Sequence, residues 1–290
     1  MLRRLSRTLG YYLGLAISSH LTSPIGNVKP EYNFSPVIKR EEIVLPVFEI
    51  MNLYFDCNQI FSNSGNFRLT RTTEEIKETV QRRKQLEELL IRSYHEQVAL
   101  SQFTSHPIDT AKGWHDPLDG KGRLVDNFND PRPRLGRRRE KHEALDIFVN
   151  VGSPVYSTSN SIVIASANDW VGEWNKKRGL RNPNGGLGDL TGNGALFFNI
   201  DDGSYRLVAH LKEVYVRTGE IIPAGYVIGT VGKTGNAIDP RLAPHLHDVF
   251  KIPGRDCGVD GTLIAQNQFN KLAEARGMLN KPVNVEESLY

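Results

Sequence analysis

The sequence predicts a mainly β protein (α+β overall), with an antiparallel β-sheet of barrel- or sandwich-like form after a partly helical N-terminal extension. From about residue 141 the chain consists of short segments rich in β-branched and aromatic residues, which Gly, Pro, Asn and Asp separate. Many short strands joined by glycine turns are typical of antiparallel sheets and barrels. Upstream of them, apolar residues recur mostly at spacings of four, which is typical of a helix.

The N-terminal helix is predicted over about 73–100, and its apolar stripe comprises Ile76, Val80, Leu86, Leu90, Tyr94 and Val98. The predicted strands cover residues 149–156, 161–165, 195–200, 205–211, 214–217, 226–231 and 245–252. Asp201-Asp202-Gly203-Ser204 has the composition of a hairpin turn between two of these strands. A second helix is predicted over 263–276, and Gly277 is well placed to end it.

These elements divide the chain into five parts. The first is a signal peptide or N-terminal anchor, the second a partly helical region, the third a loop or linker rich in Pro, Gly and charge, the fourth the β domain and the fifth a tail. Their predicted bounds are 1–24, 25–103, 104–140, 141–277 and 278–290.

The N-terminus has the pattern of a secretory signal. Arg3, Arg4 and Arg7 precede a short apolar run over 9–17, and the first acidic residue is Glu31. The run is too short for a spanning helix, and no later stretch is long enough to cross a membrane. Export to the periplasm or cell envelope is therefore predicted. An amphipathic helix and an organellar transit peptide are the alternatives.

Composition excludes few functions. The net charge of +3 does not demand nucleic acid, and no nucleic-acid-binding motif accompanies the arginines at 132, 134 and 137–139. We interpret that run as a solvated loop; a basic rim that attracts acidic substrate is the alternative. Cys57 and Cys257 do not form a CxxC pair, and they fit one disulfide or two free thiols equally well.

The last four of the eight histidines fall in three short motifs. His245 and His247 are two apart on a predicted strand, so both side chains point to the same face. His142 and Asp146 are four apart, on a loop that enters a strand, and His210 lies in another strand. Two histidines and one carboxylate leave a fourth tetrahedral position for water, which is the pattern of a catalytic zinc site.

These motifs resemble those of the M23 family of LytM/lysostaphin-type zinc metallopeptidases, which are peptidoglycan endopeptidases. The resemblance covers about residues 125–252 in family order. It is carried by His142-Glu-Ala-Leu-Asp146, Gly152-Ser-Pro-Val155, Leu207-Val-Ala-His210-Leu, the glycine-rich stretches 219–229 and 232–235, and Pro244-His245-Leu-His247.

The resemblance implies a role for each residue. His142, Asp146 and His247 match the ligands of one zinc ion, whereas His210 and His245 match the two catalytic histidines. It implies hydrolysis of peptide bonds in bacterial cell-wall peptidoglycan by a metal-held water that the histidines assist. The expected partners are therefore peptidoglycan peptides, with no nucleic acid, and no protein partner is indicated.

The sequence departs from the family pattern at two positions. Ala144 replaces a usual glycine, which raises the question of an altered backbone beside the ligands. Asp248 stands where an aromatic residue is common, so we expect a different substrate wall or a different set of side chains behind the ligands. The long connection over 168–193 is either a variable surface loop or a wall of the substrate groove.

Two other functions remain as alternatives to peptidoglycan hydrolysis. A LytM-type regulatory or binding module would keep the metal site without hydrolysing, and would activate another cell-wall hydrolase. A zinc peptidase could instead act on ordinary protein. All five motif residues are present, which favours an enzyme over the degenerate regulatory relatives.

Overall fold

The structure is a computed structural model. It describes residues 46–47, 49–51, 73–125, 127–128, 131–132, 140–175, 179–181, 187, 190–253 and 262–277, which belong to one compact unit, Pro36–Tyr290. The predicted targeting segment 1–24, both cysteines, most of the arginine run and the predicted tail 278–290 lie outside the described residues.

The described residues contain two long helices, one 3₁₀ turn and fourteen strands. The helices are α1 (Thr73–Ser101) and α2 (Gln266–Ala275), and the 3₁₀ turn is Gly235–Ile238. The strands are β1 (Arg123–Val125), β2 (Pro131–Arg132), β3 (Glu140–Lys141), β4 (Leu145–Phe148), β5 (Pro154–Tyr156), β6 (Ser161–Ala167), β7 (Glu173–Asn175), β8 (Gly179–Arg181), β9 (Asn193–Asn199), β10 (Tyr205–Val214), β11 (Ile221–Ile222), β12 (Val227–Val231), β13 (His245–Pro253) and β14 (Thr262–Ile264). Residues 46, 47 and 49–51 are also helical.

Ten of the described strands form one antiparallel sheet, which confirms the predicted fold class. Its main path is β1-β4-β13-β10-β9-β6-β11, β12 joins β10 to β5, and β14 lies beside β13. The path ends at β1 and β11, so the described sheet is open rather than a closed barrel. Strands β2 with β3 and β7 with β8 form two separate hairpins.

Several predicted bounds differ from the structure. Residues 149–153 turn before β5, and Gly152 has a φ of 89°, a left-handed conformation that favours glycine. The strand predicted at 214–217 is only the end of β10. The stretch predicted as linker contributes β1 to the main sheet. The second helix starts at Gln266, because the residues before it pair with β13 as β14.

Two apolar clusters lie on opposite faces of the main sheet. The inner cluster lies between the strands of the main path and the strands β5 and β12, which lie off that path. It includes Val155, Val208, Ile228, Leu246 and Phe250. The second cluster lies beneath α1, whose Leu86, Leu90 and Tyr94 pack against residues of β6, β9 and β10. Leu86, Leu90, Tyr94 and Val98 of the predicted apolar stripe thus pack against the β domain.

The alternation along β10 shows which face carries the histidines. Val208 lies in the inner cluster, whereas Tyr205 and Leu207 lie on the face that α1 covers. Ala209 shares that face because strand side chains alternate, and it pairs directly with His247 of β13. His247 therefore projects from the face on which α1 packs. Its partner Ala209 lies four residues beyond Tyr205 on β10, which is roughly 13 Å at about 3.3 Å per residue.

Strand β10 changes partners at His210. Up to Ala209 it pairs with β13, and from Leu211 it pairs with β12. The register with β9 also shifts between Val208 and Leu211. His210 itself has a φ of 64°, which is uncommon for a residue with a side chain. A bulge of this kind bends a strand and re-aims a side chain, and here it carries β10 from one layer to the other.

Candidate metal centre

Two adjacent strands bring the first motif to the second. His142 lies on the loop before β4, as expected from the sequence, and Asp146 lies on β4. Both side chains are buried. In the antiparallel register Asp146 stands directly opposite His247 of β13, and Phe148 stands opposite His245. Side chains that face each other across such a pair lie close together. This register joins residues about a hundred positions apart in the chain.

Three donor atoms of these residues converge. His142 Nε2 lies 3.4 Å from both Asp146 Oδ1 and His247 Nδ1. His247 Nδ1 in turn lies 2.8 Å from Asp146 Oδ1. One nitrogen from each of two imidazoles and one carboxylate oxygen thus face a common point.

Hydrogen bonds behind the site fix two of the imidazole rings. His142 Nδ1 lies 2.9 Å from the carbonyl oxygen of Asn127, and His245 Nδ1 lies 2.9 Å from the carbonyl oxygen of Ala243. A carbonyl only accepts, so Nδ1 is the donor in both rings. In the neutral ring, the lone pair of Nε2 then remains for a metal or a proton.

The two other motif histidines lie beside this group. The ring centroid of His210 is 5.1 Å from that of His245 and 5.3 Å from that of His247. His245 Nε2 lies 3.8 Å from Asp146 Oδ1. His210, His245 and His247 form a second group of converging donor atoms. The structure therefore brings together all five residues singled out from the sequence, and His247 belongs to both groups.

The protonation states of Asp146 and His210 suit a site that binds a cation. Burial raises the pKa of the Asp146 carboxyl, but its contacts with His142 and His247 outweigh burial and hold the pKa well below its ordinary value. This carboxyl is therefore ionised at neutral pH. Burial lowers the pKa of His210 well below its ordinary value, and the neighbouring His247 and His245 lower it further. His210 is therefore neutral in the same range.

The donor set fits zinc. Structural and catalytic zinc sites use histidine nitrogen and carboxylate oxygen at about 2.0–2.2 Å in tetrahedral geometry, which separates ligand atoms by roughly 3.3 Å. Two of the three separations in the group of His142, Asp146 and His247 are 3.4 Å. Three protein ligands leave one tetrahedral position for water or substrate. This group can therefore hold a catalytic zinc ion.

Asn127 is a residue of the site that the motif analysis missed. Its side-chain Nδ2 donates to Asp146 Oδ2 at 2.7 Å, and its carbonyl holds His142. It lies in the stretch predicted as linker, fifteen residues before His142, and no spacing rule singles it out. Only the folding of β1 against β4 brings it to the ligands.

The two departures from the family pattern have simple structural outcomes. Ala144 is buried, and its φ lies outside the left-handed region, so an alanine fits this backbone without strain.

Asp248 does not belong to a substrate wall. Its side chain is completely buried on the inner face of β13, where Arg206 donates two hydrogen bonds of 2.8 Å to its two carboxylate oxygens. The expectation of a different substrate wall at Asp248 is therefore wrong.

Within the connection over 168–193, the described residues include the paired strands β7 and β8. Trp174 of β7 packs against the guanidinium of Arg241, 5.7 Å from its ring centroid. At the end of the connection, the carbonyl of Thr191 accepts a hydrogen bond of 3.0 Å from the backbone N–H of His210. The connection thus reaches the strand that carries one of the site histidines.

Comparison with known proteins identifies the domain that carries this site. The profile of peptidase family M23 matches residues 140–256. An L-Ala–D-Glu endopeptidase of Bacillus subtilis is 32% identical over 134 residues, which cover 44% of this chain and 34% of that protein. The peptidoglycan DD-endopeptidase ShyA of Vibrio cholerae is 27% identical over 143 residues, which cover 48% of this chain and 27% of that protein.

Among solved structures, the catalytic domain of lysostaphin from Staphylococcus simulans is similar, with 23% identity and a TM-score of 0.35 over 52% of this chain and 92% of that domain. The chain spans about a third of the length of the first of these relatives and about a quarter of the length of the second. The matched residues include all five motif residues, which are His142 on the loop before β4, Asp146 on β4, His210 on β10, and His245 and His247 on β13. Residues 140–256 are therefore similar to peptidase family M23.

Proposed function

We propose that the protein is a zinc-dependent endopeptidase that hydrolyses peptide bonds of bacterial cell-wall peptidoglycan. The observation that carries the proposal is the convergence of His142 Nε2, Asp146 Oδ1 and His247 Nδ1, with two more imidazoles beside them, within an M23 domain. The similarity to two bacterial endopeptidases, one of them named for peptidoglycan, supports the substrate class. That substrate in turn supports a site of action in the periplasm or cell envelope.

We assign the three converging residues as zinc ligands. When bound, zinc would lower the pKa of a coordinated water and polarise the scissile carbonyl. His142 and His247 supply neutral nitrogens, and the ionised carboxyl of Asp146 supplies the anionic oxygen.

We assign the two remaining histidines to proton transfer and charge stabilisation. In His245, the donor at Nδ1 is engaged by the Ala243 carbonyl, which leaves Nε2 on the site side to accept a proton from the attacking water. The same nitrogen can then deliver that proton to the departing amine. His210 is neutral and lies against His245, so its N–H can stabilise the negative charge that develops on the carbonyl oxygen.

The test combines metal content with product analysis. The purified chain should contain about one zinc per molecule and should cleave defined muropeptides, with the cut bond identified by mass spectrometry. Removal of zinc with a chelator should abolish cleavage, and added zinc should restore it.

Each other outcome points to a different function. Bound zinc without cleavage of any peptide would favour a regulatory or binding module. Cleavage of an unstructured protein but not of muropeptides would favour a general zinc peptidase. Absence of zinc together with metal-independent cleavage would contradict the proposal that the enzyme depends on zinc.

A further inference from the structure

Asn127 contacts two of the three residues proposed as zinc ligands. Its carbonyl oxygen accepts a hydrogen bond from His142 Nδ1 at 2.9 Å, and its Nδ2 donates to Asp146 Oδ2 at 2.7 Å. Its Oδ1 faces the backbone N–H of Asp146 at 3.4 Å. One residue therefore orients both a ring and a carboxylate.

The contact with Asp146 determines which oxygen faces the site. Oδ1 of Asp146 is the oxygen near His142 Nε2 and His247 Nδ1, whereas Oδ2 is held by the Asn127 amide. The terminal torsion of an aspartate side chain is soft, so a free carboxylate would rotate. The amide N–H opposes this rotation and leaves one oxygen directed at the metal position.

Asn127 is itself held in place on both sides. Its backbone N–H donates to the carbonyl of Val125 at 2.9 Å, and Val125 pairs with Asp146 in the ladder between β1 and β4. The next residue, Phe128, is buried and its ring lies 5.0 Å from that of Phe269 on α2. The amide is thus fixed to the strand that carries Asp146 and to the core.

We infer that Asn127 is a positioning residue of the metal centre, which sets the orientation of Asp146 and His142 before zinc binds. The inference rests on the proposed zinc site, and it assigns a role outside residues 140–256, the part of the chain that the family profile matches. Residues behind metal ligands typically contribute 10–100-fold to metal affinity.

The experiment measures zinc affinity of the full chain by competition with a chromophoric chelator. Asn127→Ala and Asn127→Leu both keep the backbone carbonyl and remove the side-chain amide, and leucine also keeps the volume. The control is Asn267→Ala, because Asn267 Nδ2 donates to Asp202 Oδ2 at the same distance of 2.7 Å, away from the site. Urea unfolding of the zinc-free proteins gives the stability of each variant.

Both Asn127 variants should bind zinc at least about 10-fold more weakly than the unaltered chain. The control variant should bind zinc as tightly as the unaltered chain. Zinc affinity of Asn127→Ala and Asn127→Leu equal to that of the unaltered chain would overturn the inference, as would a loss that the control shares. If the unaltered chain itself bound no zinc, the proposed function would fail instead, so the two failures are distinguishable.

Discussion

His247 and Asp248 are neighbours on β13, but their side chains belong to different regions of the molecule. His247 projects from the face that carries Asp146, whereas Asp248 points to the inner face and pairs with Arg206. Both regions are polar and largely buried. Burial of a polar side chain therefore does not by itself indicate a functional site.

The two regions differ in how completely their polar atoms are paired. In the inner pair each carboxylate oxygen of Asp248 accepts a hydrogen bond from Arg206, whose third donor reaches the carbonyl of Tyr156. At the site, several ring nitrogens converge on one carboxylate oxygen of Asp146. In the inner pair, each charged group is fully paired within the protein. At the site, the converging donor atoms are arranged to bind a cation.

The largest effect on stability should come from breaking the inner pair. Asp248→Ala leaves Arg206 buried and uncompensated, because the two side chains are only 0% and 1% exposed. Loss of one partner from such a pair typically costs 3–5 kcal/mol, so we expect a decrease of about that size in the free energy of unfolding. Urea denaturation measures it.

The matched double variant Arg206→Met/Asp248→Leu removes both charges together. It should recover most of the lost stability, because apolar residues of similar volume often replace buried ion pairs without loss. Equal destabilisation of the single and double variants would show that the pair does not act as a closed unit.

Replacement of His210 should affect turnover and leave metal binding intact. We expect His210→Ala to lower kcat by roughly 10²–10⁴-fold, the usual contribution of a positioned acid–base or stabilising group. Zinc affinity should remain close to that of the unaltered chain, because His210 is not one of the proposed ligands. A His210→Ala variant that lost its zinc would contradict the division of the histidines into ligands and catalytic residues.

The left-handed backbone at His210 predicts a smaller effect, on stability, whose sign is opposite to that at the neighbouring Ala209. His210→Gly and His210→Ala both lack the imidazole, but only glycine adopts a φ of 64° without strain. The glycine variant should therefore be more stable than the alanine variant by about 1 kcal/mol. At Ala209, where φ is outside the left-handed region, glycine should instead be destabilising by roughly 0.5–1 kcal/mol.

The smallest effect concerns Glu87 of α1, which accepts a hydrogen bond from Tyr205 of β10. Burial raises the pKa of Glu87, although Arg83 and the hydrogen bond from Tyr205 oppose the shift. A raised pKa contributes stability below the ordinary carboxyl pKa, and this is lost as the pH rises through the folded value. Relative to the unaltered chain, Glu87→Gln should therefore gain stability between pH 4 and 7, measured by urea unfolding. A pH-independent difference would mean that Glu87 is as well solvated in the fold as in the unfolded chain.

The sequence was sufficient to predict the fold class, and it singled out the five residues that the structure brings together, for identifiable reasons. The period of two around His245 and His247 places both on one face, and the motif order indicates the family. The contacts of Asn127 and Asp248 depend instead on strand register. No local pattern reports that β1 brings Asn127 to Asp146, or that Asp248 of β13 shares a face with Arg206 of the adjacent strand β10. Similarly, the bulge at His210 follows from the passage of β10 between two layers and not from the residues around it.

We propose that His247, and not His245, holds the metal. These histidines lie on the same face of β13, so the most direct test is the zinc content and zinc affinity of His247→Ala and His245→Ala, measured side by side. We expect His247→Ala to lose more than roughly 100-fold in zinc affinity, beyond the range for residues behind the ligands, and His245→Ala to keep one zinc while losing turnover. Loss of zinc in His245→Ala with retention in His247→Ala would show that His245 is the ligand instead.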